Sequence, residues 1–141
     1  MRLSQRLTRR RTERTIAVLS ALTAVNAVGG SLYGLRGAPR IPREWLEGSP
    51  FNDYKIPSVF LGIAVGGSSA MSAATAWRGN DHAALATVAA GGILTAWVAA
   101  QVAIIGLRSF LQPLFGGVGL TMIALGSKLS CDADDDYRSS A

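Results

Sequence analysis

Residues 82–105 read HAALATVAAGGILTAWVAAQVAII, and this stretch decides the fold. Between Ala83 and Ala100 the only polar side chains are those of threonines. A helix on the surface of a soluble bundle would carry a polar stripe along its length, and none is present. At 1.5 Å rise per residue, the stretch is long enough to cross a hydrocarbon core of ~30 Å. It therefore predicts a transmembrane helix, His82–Ile105.

Three further apolar stretches of similar length surround this one. They are Thr15–Leu35, Pro57–Trp77 and Ser109–Ser127. Short charged segments separate them, and they leave no room for a soluble catalytic domain beside the spans. The sequence predicts an all-α polytopic membrane protein, a four-transmembrane-helix bundle with a structured outer loop. It divides into a basic cytoplasmic N-terminus (1–14), the transmembrane domain (15–127) and an acidic, disordered cytoplasmic tail (128–141).

Charge is unevenly distributed along the chain and sets the predicted topology. Residues 1–14 carry six arginines and one glutamate, whereas four aspartates oppose Lys128 and Arg138 in the tail. By the positive-inside rule, the arginine cluster marks the cytoplasmic side of the cell membrane. Because four spans return the chain to its starting side, both termini are predicted to be cytoplasmic. No folded domain presents the arginines to nucleic acid, and no nucleic-acid partner is expected.

The N-terminus also has the features of a signal peptide, which is the competing interpretation. A basic segment precedes an apolar run, and Ala24-Val25-Asn26-Ala27 resembles a cleavage site. The apolar run continues through Tyr33, however, which is long enough for a membrane span. We therefore expect the first span to be retained.

Cysteine and histidine are too few for the common redox and metal sites. Cys131 and His82 are the single residues of their types, and no C-x-x-C, H-E-x-x-H or glycine-rich phosphate loop is present. We expect no metal site and no cofactor, and catalytic residues cannot be assigned. His82, beside Asp81, is interpreted as a helix-start residue.

Small residues recur at the spacing that lets transmembrane helices approach closely. The pairs Gly30–Gly34 and Gly62–Gly66 each have three residues between them. Lipid does not drive helices together by expelling water, so close packing at such residues does. We interpret both pairs as contacts within the bundle, with a seam between two copies as the alternative.

The first loop, about twenty residues from Arg36 to Lys55, combines prolines, charges and the aromatic residues Trp45, Phe51 and Tyr54. A disordered linker would be poor in aromatic residues. Pro42 favours a short helical turn after it, which Gly48 would end. The loop is interpreted as a structured cap with an aromatic belt, and a lid over a binding pocket remains the alternative.

Polar residues gather at the outer ends of the third and fourth spans, facing this loop. Arg108 should not stay unpaired at the membrane boundary, and Glu44, Glu47 and Asp53 are the acidic residues predicted on its side. Gln101 shares a helix face with Trp97. The candidate ligand-binding residues are Glu44, Trp45, Glu47, Asp53, Tyr54, Gln101, Arg108 and Gln112.

Asn26 is the one amide near the middle of the first span. We expect its side chain to hydrogen-bond across the bundle, with a place on a substrate path as the alternative.

Two segments carry a family resemblance. EWLEGSPFNDYKIP at 44–57 and QVAIIGLRSFLQP at 101–113 resemble signatures in a group of small, uncharacterised bacterial four-helix membrane proteins. The resemblance covers about residues 25–127. It implies four spans and an association of the two outer segments, and it supplies no activity or site residues.

Two functions follow as hypotheses. The first is a non-enzymatic membrane component whose extracytoplasmic loop binds a lipid or a larger membrane protein complex, with homo-oligomerisation as a further option. The second is a membrane-embedded enzyme or carrier for an apolar molecule, which would use the outer Glu/Asp–Arg cluster. The spans hold no dense pathway of charges, which argues against an ion pump.

Overall fold

The computed structural model describes residues 2–141, with the side chain of Arg2 and all of Met1 outside the description. These residues form α1 (Arg2–Leu35), α2 (Lys55–Phe60), α3 (Gly67–Trp77), α4 (Ala83–Ile105) and α5 (Leu111–Ser140). A π-helical segment, Leu61–Gly66, joins α2 to α3, so that Lys55–Trp77 is one rod, the second span. By length and composition, α1, the second span, α4 and α5 can each cross a membrane. The predicted all-helical, four-span fold is confirmed.

The four spans close into a bundle. α4 packs most extensively on α5, and α1 packs on the second span, while α3–α4 and α1–α5 contacts complete the ring. Two apolar clusters fill the interior. One, toward the end that holds both termini, contains Ile16, Ala17, Ala76, Ala83, Ala84 and Leu129. The other contains Ala27, Val65, Ala90, Leu94, Val98 and Met122.

Glycines set the close approach of α1 to the second span. A Cβ at Gly62 would lie 2.5 Å from Ser31 Oγ, and one at Gly34 would overlap the Ser58 side chain. A Cβ at Gly30 would lie 3.2 Å from Leu61, and one at Gly66 would lie 3.6 Å from the Ala27 Cβ. The structure thus places all four predicted packing glycines in one contact between α1 and the second span.

A second glycine contact, between α4 and α5, was not predicted. A Cβ at Gly91 would lie 2.6 Å from the Gly119 carbonyl oxygen, and one at Gly126 would lie 3.0 Å from the Ala84 carbonyl oxygen. At these points the two backbones themselves touch. This explains why α4 and α5 form the most extensive helix pair.

Two turns depend on a glycine with positive φ. At the end of α1, Gly37 has φ 92, and the Ala38 amide donates to the Tyr33 carbonyl at 3.1 Å. At the end of α3, Gly79 has φ 63, and the Asn80 amide donates to the Thr75 carbonyl at 3.0 Å. Both are Schellman motifs, which satisfy the last carbonyls of a helix and reverse the chain.

The helices at the terminal end run past the predicted spans. α5 continues through Ser140, where the sequence suggested a disordered tail. Leu129 is 2% exposed and packs with Ile16 and Ala17 of α1. Beyond it, Asp132, Asp135 and Asp136 face Arg6 and Arg9 across a cleft of about 190 Å³. The acidic segment is therefore helical and lies beside the basic start of α1, an arrangement that its own composition does not reveal.

Candidate functional site

The first loop folds into a cap over the end of the bundle opposite both termini. Pro42 is followed by a 3-10 turn, Arg43–Leu46, that touches α4. The Tyr54 hydroxyl donates to the Pro42 carbonyl at 2.7 Å, and the Arg40 amide donates to the Tyr33 hydroxyl at 3.0 Å. Two tyrosines thus tie the loop to the helices that flank it. Partial burial raises the pKa of the Tyr54 phenol, which keeps this donor protonated.

The predicted pairing of Arg108 with a loop carboxylate is not found. Arg108 Nε donates to the Ile105 carbonyl at 3.0 Å, and the ion pairs within residues 2–141 join Arg9 to Glu13 and to Asp81. The physical reason is local, because the last carbonyls of α4 lack helical partners and a cation within reach satisfies one of them.

Gln112 fastens the turn between α4 and α5. Its Oε1 accepts hydrogen bonds from the Arg108 amide at 2.8 Å and the Ser109 amide at 3.2 Å. Its Nε2 donates to the Gly106 carbonyl at 3.1 Å, and the residue is 6% exposed. All of these contacts are to the protein's own backbone, so the geometry assigns Gln112 a structural role.

The other predicted residues lie around the cap without converging on one point. Glu44 and Glu47 are exposed, while Trp45 and Gln101 are half-buried. Asp53 Oδ1 accepts a hydrogen bond from the Lys55 amide at 3.0 Å, at the start of α2. The structure therefore brings the loop to α4, as predicted, but does not assemble the Glu/Asp–Arg cluster.

An apolar groove lies just below the cap, on the second span. It has a volume of about 460 Å³, and its lining residues are Lys55, Ile56, Val59, Phe60, Ile63 and Ala64. Ile56 and Ile63 are 64% and 72% exposed, so the groove opens to the side where lipid would lie. Lys55, the first residue of α2, is the only charged residue in the lining, and it contributes its aliphatic stem, because the lining surface is almost wholly apolar.

Two features shape this groove. Ile63 and Ala64 belong to the π-helical segment. In this segment Val65 and Gly66 are buried against the bundle, while Ile63 and Ala64 line the groove. The Phe60 ring stacks on Trp97 of α4 with 5.1 Å between centroids and 25° between planes. π-helical turns are frequent at functional sites, because they re-aim side chains within a helix.

A layer of hydroxyls crosses the bundle between its two apolar clusters. Ser20 of α1 lies 2.9 Å from Ser72 of α3, and Ser72 lies 2.9 Å from Thr87 of α4. The Thr87 hydroxyl donates its one proton to the Ala83 carbonyl at 2.6 Å. Its oxygen therefore accepts a hydrogen bond from Ser72, and the Ser72 oxygen in turn accepts one from Ser20. These hydroxyls are fully buried. Ser69 is fully buried too, yet its Oγ has no hydrogen-bond partner within the described part of the chain.

Sequence reasoning missed this layer, although a signal for it exists. Ser20, Ser72 and Thr87 are five positions from Thr15, Trp77 and His82, the inner ends of the predicted spans. In an up-and-down bundle, equal distance from one end means equal depth. Matching depth, rather than residue type, would have indicated that these hydroxyls meet.

Asn26 does not reach across the bundle. It is exposed on the face of α1 that points away from the bundle, and its Nδ2 donates to the Leu22 carbonyl of the same helix at 2.8 Å. The predicted cross-bundle hydrogen bond is therefore wrong, and the positions that do bond across the bundle belong to the smaller hydroxyls.

The end of the bundle that holds both termini contains a buried carboxylate that the sequence analysis did not single out. Glu13 is 5% exposed, accepts from Arg9 Nε at 3.0 Å and lies beside the Gly79 turn. Arg9 also approaches Asp81 at 3.9 Å, which links α1 to the α3–α4 turn.

Among known proteins, no family model, curated protein or solved structure matches the chain.

Proposed function

We propose that this chain is a small, non-enzymatic component of the cell membrane that binds a lipid below its extracytoplasmic loop. The observation that carries the proposal is the groove of about 460 Å³, whose lining is apolar apart from Lys55 at one end. An acyl chain fits an apolar groove that opens sideways, and the Lys55 ammonium, carried beyond the groove by its apolar stem, would attract an anionic headgroup.

The proposed topology places this groove in the outer leaflet. The arginines at the start of α1 are held on the cytoplasmic side, with both termini, by the positive-inside rule. Lys55 begins the second span and would then lie at the level of the outer headgroups. The cap above it, closed by the Tyr54–Pro42 hydrogen bond, covers the end of the bundle and leaves the side open.

The alternative function, an enzyme or carrier built on the outer acidic residues and Arg108, lacks a supporting observation. The Arg108 guanidinium donates a hydrogen bond to the Ile105 carbonyl, and Glu44 and Glu47 are exposed. Chemistry on an apolar molecule would need these groups to converge on a shielded point. Lipid binding needs only the groove and its cation.

Tryptophan quenching tests the proposal. Trp97 stacks on a residue of the groove lining, so it reports on an acyl chain that occupies the groove. In a Trp45→Phe, Trp77→Phe background, Trp97 is the remaining tryptophan. Brominated phosphatidylglycerol in vesicles is expected to quench it at a several-fold lower mole fraction than brominated phosphatidylcholine.

A matched pair of variants assigns the preference to the groove. Lys55→Gln should abolish the difference between the two lipids, whereas Arg108→Gln, which removes another outer cation, should leave it intact. Equal quenching by both lipids in the parent protein would contradict selective binding. A preference that survives Lys55→Gln would place the headgroup elsewhere.

A further inference from the structure

The amide of Asn26 stands on the lipid-facing surface of α1, close to the middle of the span. Its Nδ2 donates to the Leu22 carbonyl, while its Oδ1 accepts no hydrogen bond within residues 2–141. Lipid tails offer neither donors nor acceptors, so an amide left against them loses the hydrogen bonds that water gives it. Such a group at this depth calls for a protein partner.

The surface around Asn26 suits a second helix. Leu22 and Val25 are 59% and 70% exposed, and the hydroxyl-bearing ring of Tyr33 is 37% exposed. A Cβ at Gly29 would meet no atom within 4 Å. Leu22, Asn26, Gly29 and Tyr33 recur at spacings of four, three and four, which is the seam of a left-handed helix pair. We call these residues, with Val25, the Asn26 face.

The chemistry of the amide selects the partner. A carboxamide carries both an acceptor and donors, so two of them can pair reciprocally, Nδ2 of each to Oδ1 of the other. Two copies inserted in the same orientation are related by an axis along the membrane normal. That axis places Asn26 opposite Asn26 at the same depth, whereas a different partner would need its own polar group at that level.

The charges at the inner end are compatible with such a pair. Two α1 helices side by side would bring their arginine clusters together, which is unfavourable. In each copy, however, Asp132, Asp135 and Asp136 of α5 already lie beside Arg6 and Arg9. The acidic helix offsets part of the repulsion, and solvent ions screen the remainder outside the membrane.

We propose that this protein forms a homodimer through the Asn26 face, with α1 parallel to α1 of the second copy and the two Asn26 amides hydrogen-bonded to each other. The interface goes beyond lipid binding and does not depend on it. It leaves the groove on the second span accessible.

Cysteine cross-linking in vesicles tests the geometry. In a Cys131→Ser background, Leu22→Cys, at a seam position beside the two-fold axis, should form an intermolecular disulfide on oxidation, and the yield should persist as the lipid-to-protein ratio is raised. Leu120→Cys is the matched control, because Leu120 is 59% exposed near the middle of α5. It should cross-link only at crowded ratios. Equal yields at the two positions on dilution would overturn the interface.

Substitution of the amide tests the chemistry. With Leu22→Cys as the reporter, Asn26→Leu should lower the lipid-to-protein ratio at which half of the dimer dissociates by on the order of tenfold, as expected for two interhelical hydrogen bonds of about average strength. Asn26→Gln, which keeps an amide, should restore much of the dimer. Thermal unfolding of each variant confirms that the bundle is intact. Unchanged dimerisation in folded Asn26→Leu, or cross-linking only to a different protein in native membranes, would overturn the proposal.

Discussion

Replacing Ser72 or Ser69 of α3 by alanine should change the free energy of unfolding in opposite directions. Ser72 accepts a hydrogen bond from Ser20 and donates one to Thr87, each at 2.9 Å. Ser69, one turn earlier and equally buried, has no partner within the described residues. Replacing each by alanine removes the same oxygen from the same kind of environment, so the hydrogen bonds account for the difference.

The expected magnitudes follow from these hydrogen bonds. Interhelical hydrogen bonds in membrane proteins average about 0.6 kcal/mol, so Ser72→Ala should lower the free energy of unfolding by roughly 1.2 kcal/mol. An unsatisfied buried hydroxyl costs ~1–3 kcal/mol, and Ser69→Ala removes that cost together with the smaller dispersion attraction of one oxygen atom. We therefore expect Ser69→Ala to stabilise the protein by up to about 1 kcal/mol.

Reversible unfolding in mixed detergent micelles, followed by circular dichroism, measures both changes. Ser68→Ala is the control, because Ser68 donates only within its own helix, to the Ala64 carbonyl at 2.5 Å, and should change stability little. If Ser69→Ala destabilises the bundle as much as Ser72→Ala does, Ser69 has a partner and the account of the hydroxyl layer is wrong.

Four further predictions concern packing, the cap, the outer turn and the topology. Gly66→Leu should lower stability by ~1–3 kcal/mol through overpacking, whereas Gly67→Leu, where no atom lies within 4 Å, should be nearly neutral in detergent unfolding. The pKa of Tyr54 is raised above its ordinary value of 10.0, so the neutral phenol stabilises the cap at every pH below that value. This contribution is lost as the pH rises through the folded-state pKa, so limited proteolysis of the loop should accelerate there, and less so in Tyr54→Phe. Gln112→Leu removes the partner of three backbone groups in the turn between α4 and α5 and should speed proteolysis of that turn; an unchanged rate would contradict the structural role of Gln112. Cys131 is exposed and should react with an impermeant maleimide only after cells are permeabilised, and labelling of intact cells would contradict cytoplasmic termini.

The spans were predictable because membrane crossing imposes a length and a composition that few other structures share. The helices extend past the predicted ends of the spans where the sequence is no longer apolar. α1 begins before the predicted Thr15, and α5 runs beyond Ser127, because paired helices continue outside the apolar region. The turn after Pro42 was also predictable, since the fixed φ of proline suits the extended residue that precedes a helical turn, and Gly48, with φ 87, can follow the turn.

The arrangement around Arg108 was not predictable from charge alone. The sequence places Arg108 on the same side as three acidic residues, and simple electrostatics favours a pair. The structure instead satisfies it with the Ile105 carbonyl, one turn away, since a local acceptor costs no loop ordering. The groove was missed for a related reason: its lining consists of ordinary apolar residues, and only the π-helical segment distinguishes it from any other lipid-facing surface.

The apolar residues of a membrane helix do not indicate which of its faces points into the bundle and which points toward lipid. In water, an exposed leucine is penalised, so hydrophobic residues indicate the core. In lipid, an outward leucine costs nothing, and α4 accordingly buries Leu94 and exposes Leu85 at 69% with no polar stripe between them. Only polar side chains retain a preference, because each requires a partner or the interface. Ser72 satisfies that requirement inside the bundle, and in the proposed topology Lys55 satisfies it at the membrane surface. The Asn26 amide donates to the Leu22 carbonyl of its own helix, but its Oδ1 accepts no hydrogen bond within residues 2–141. This is why a second molecule is expected on the exposed side of α1 and not in the interior.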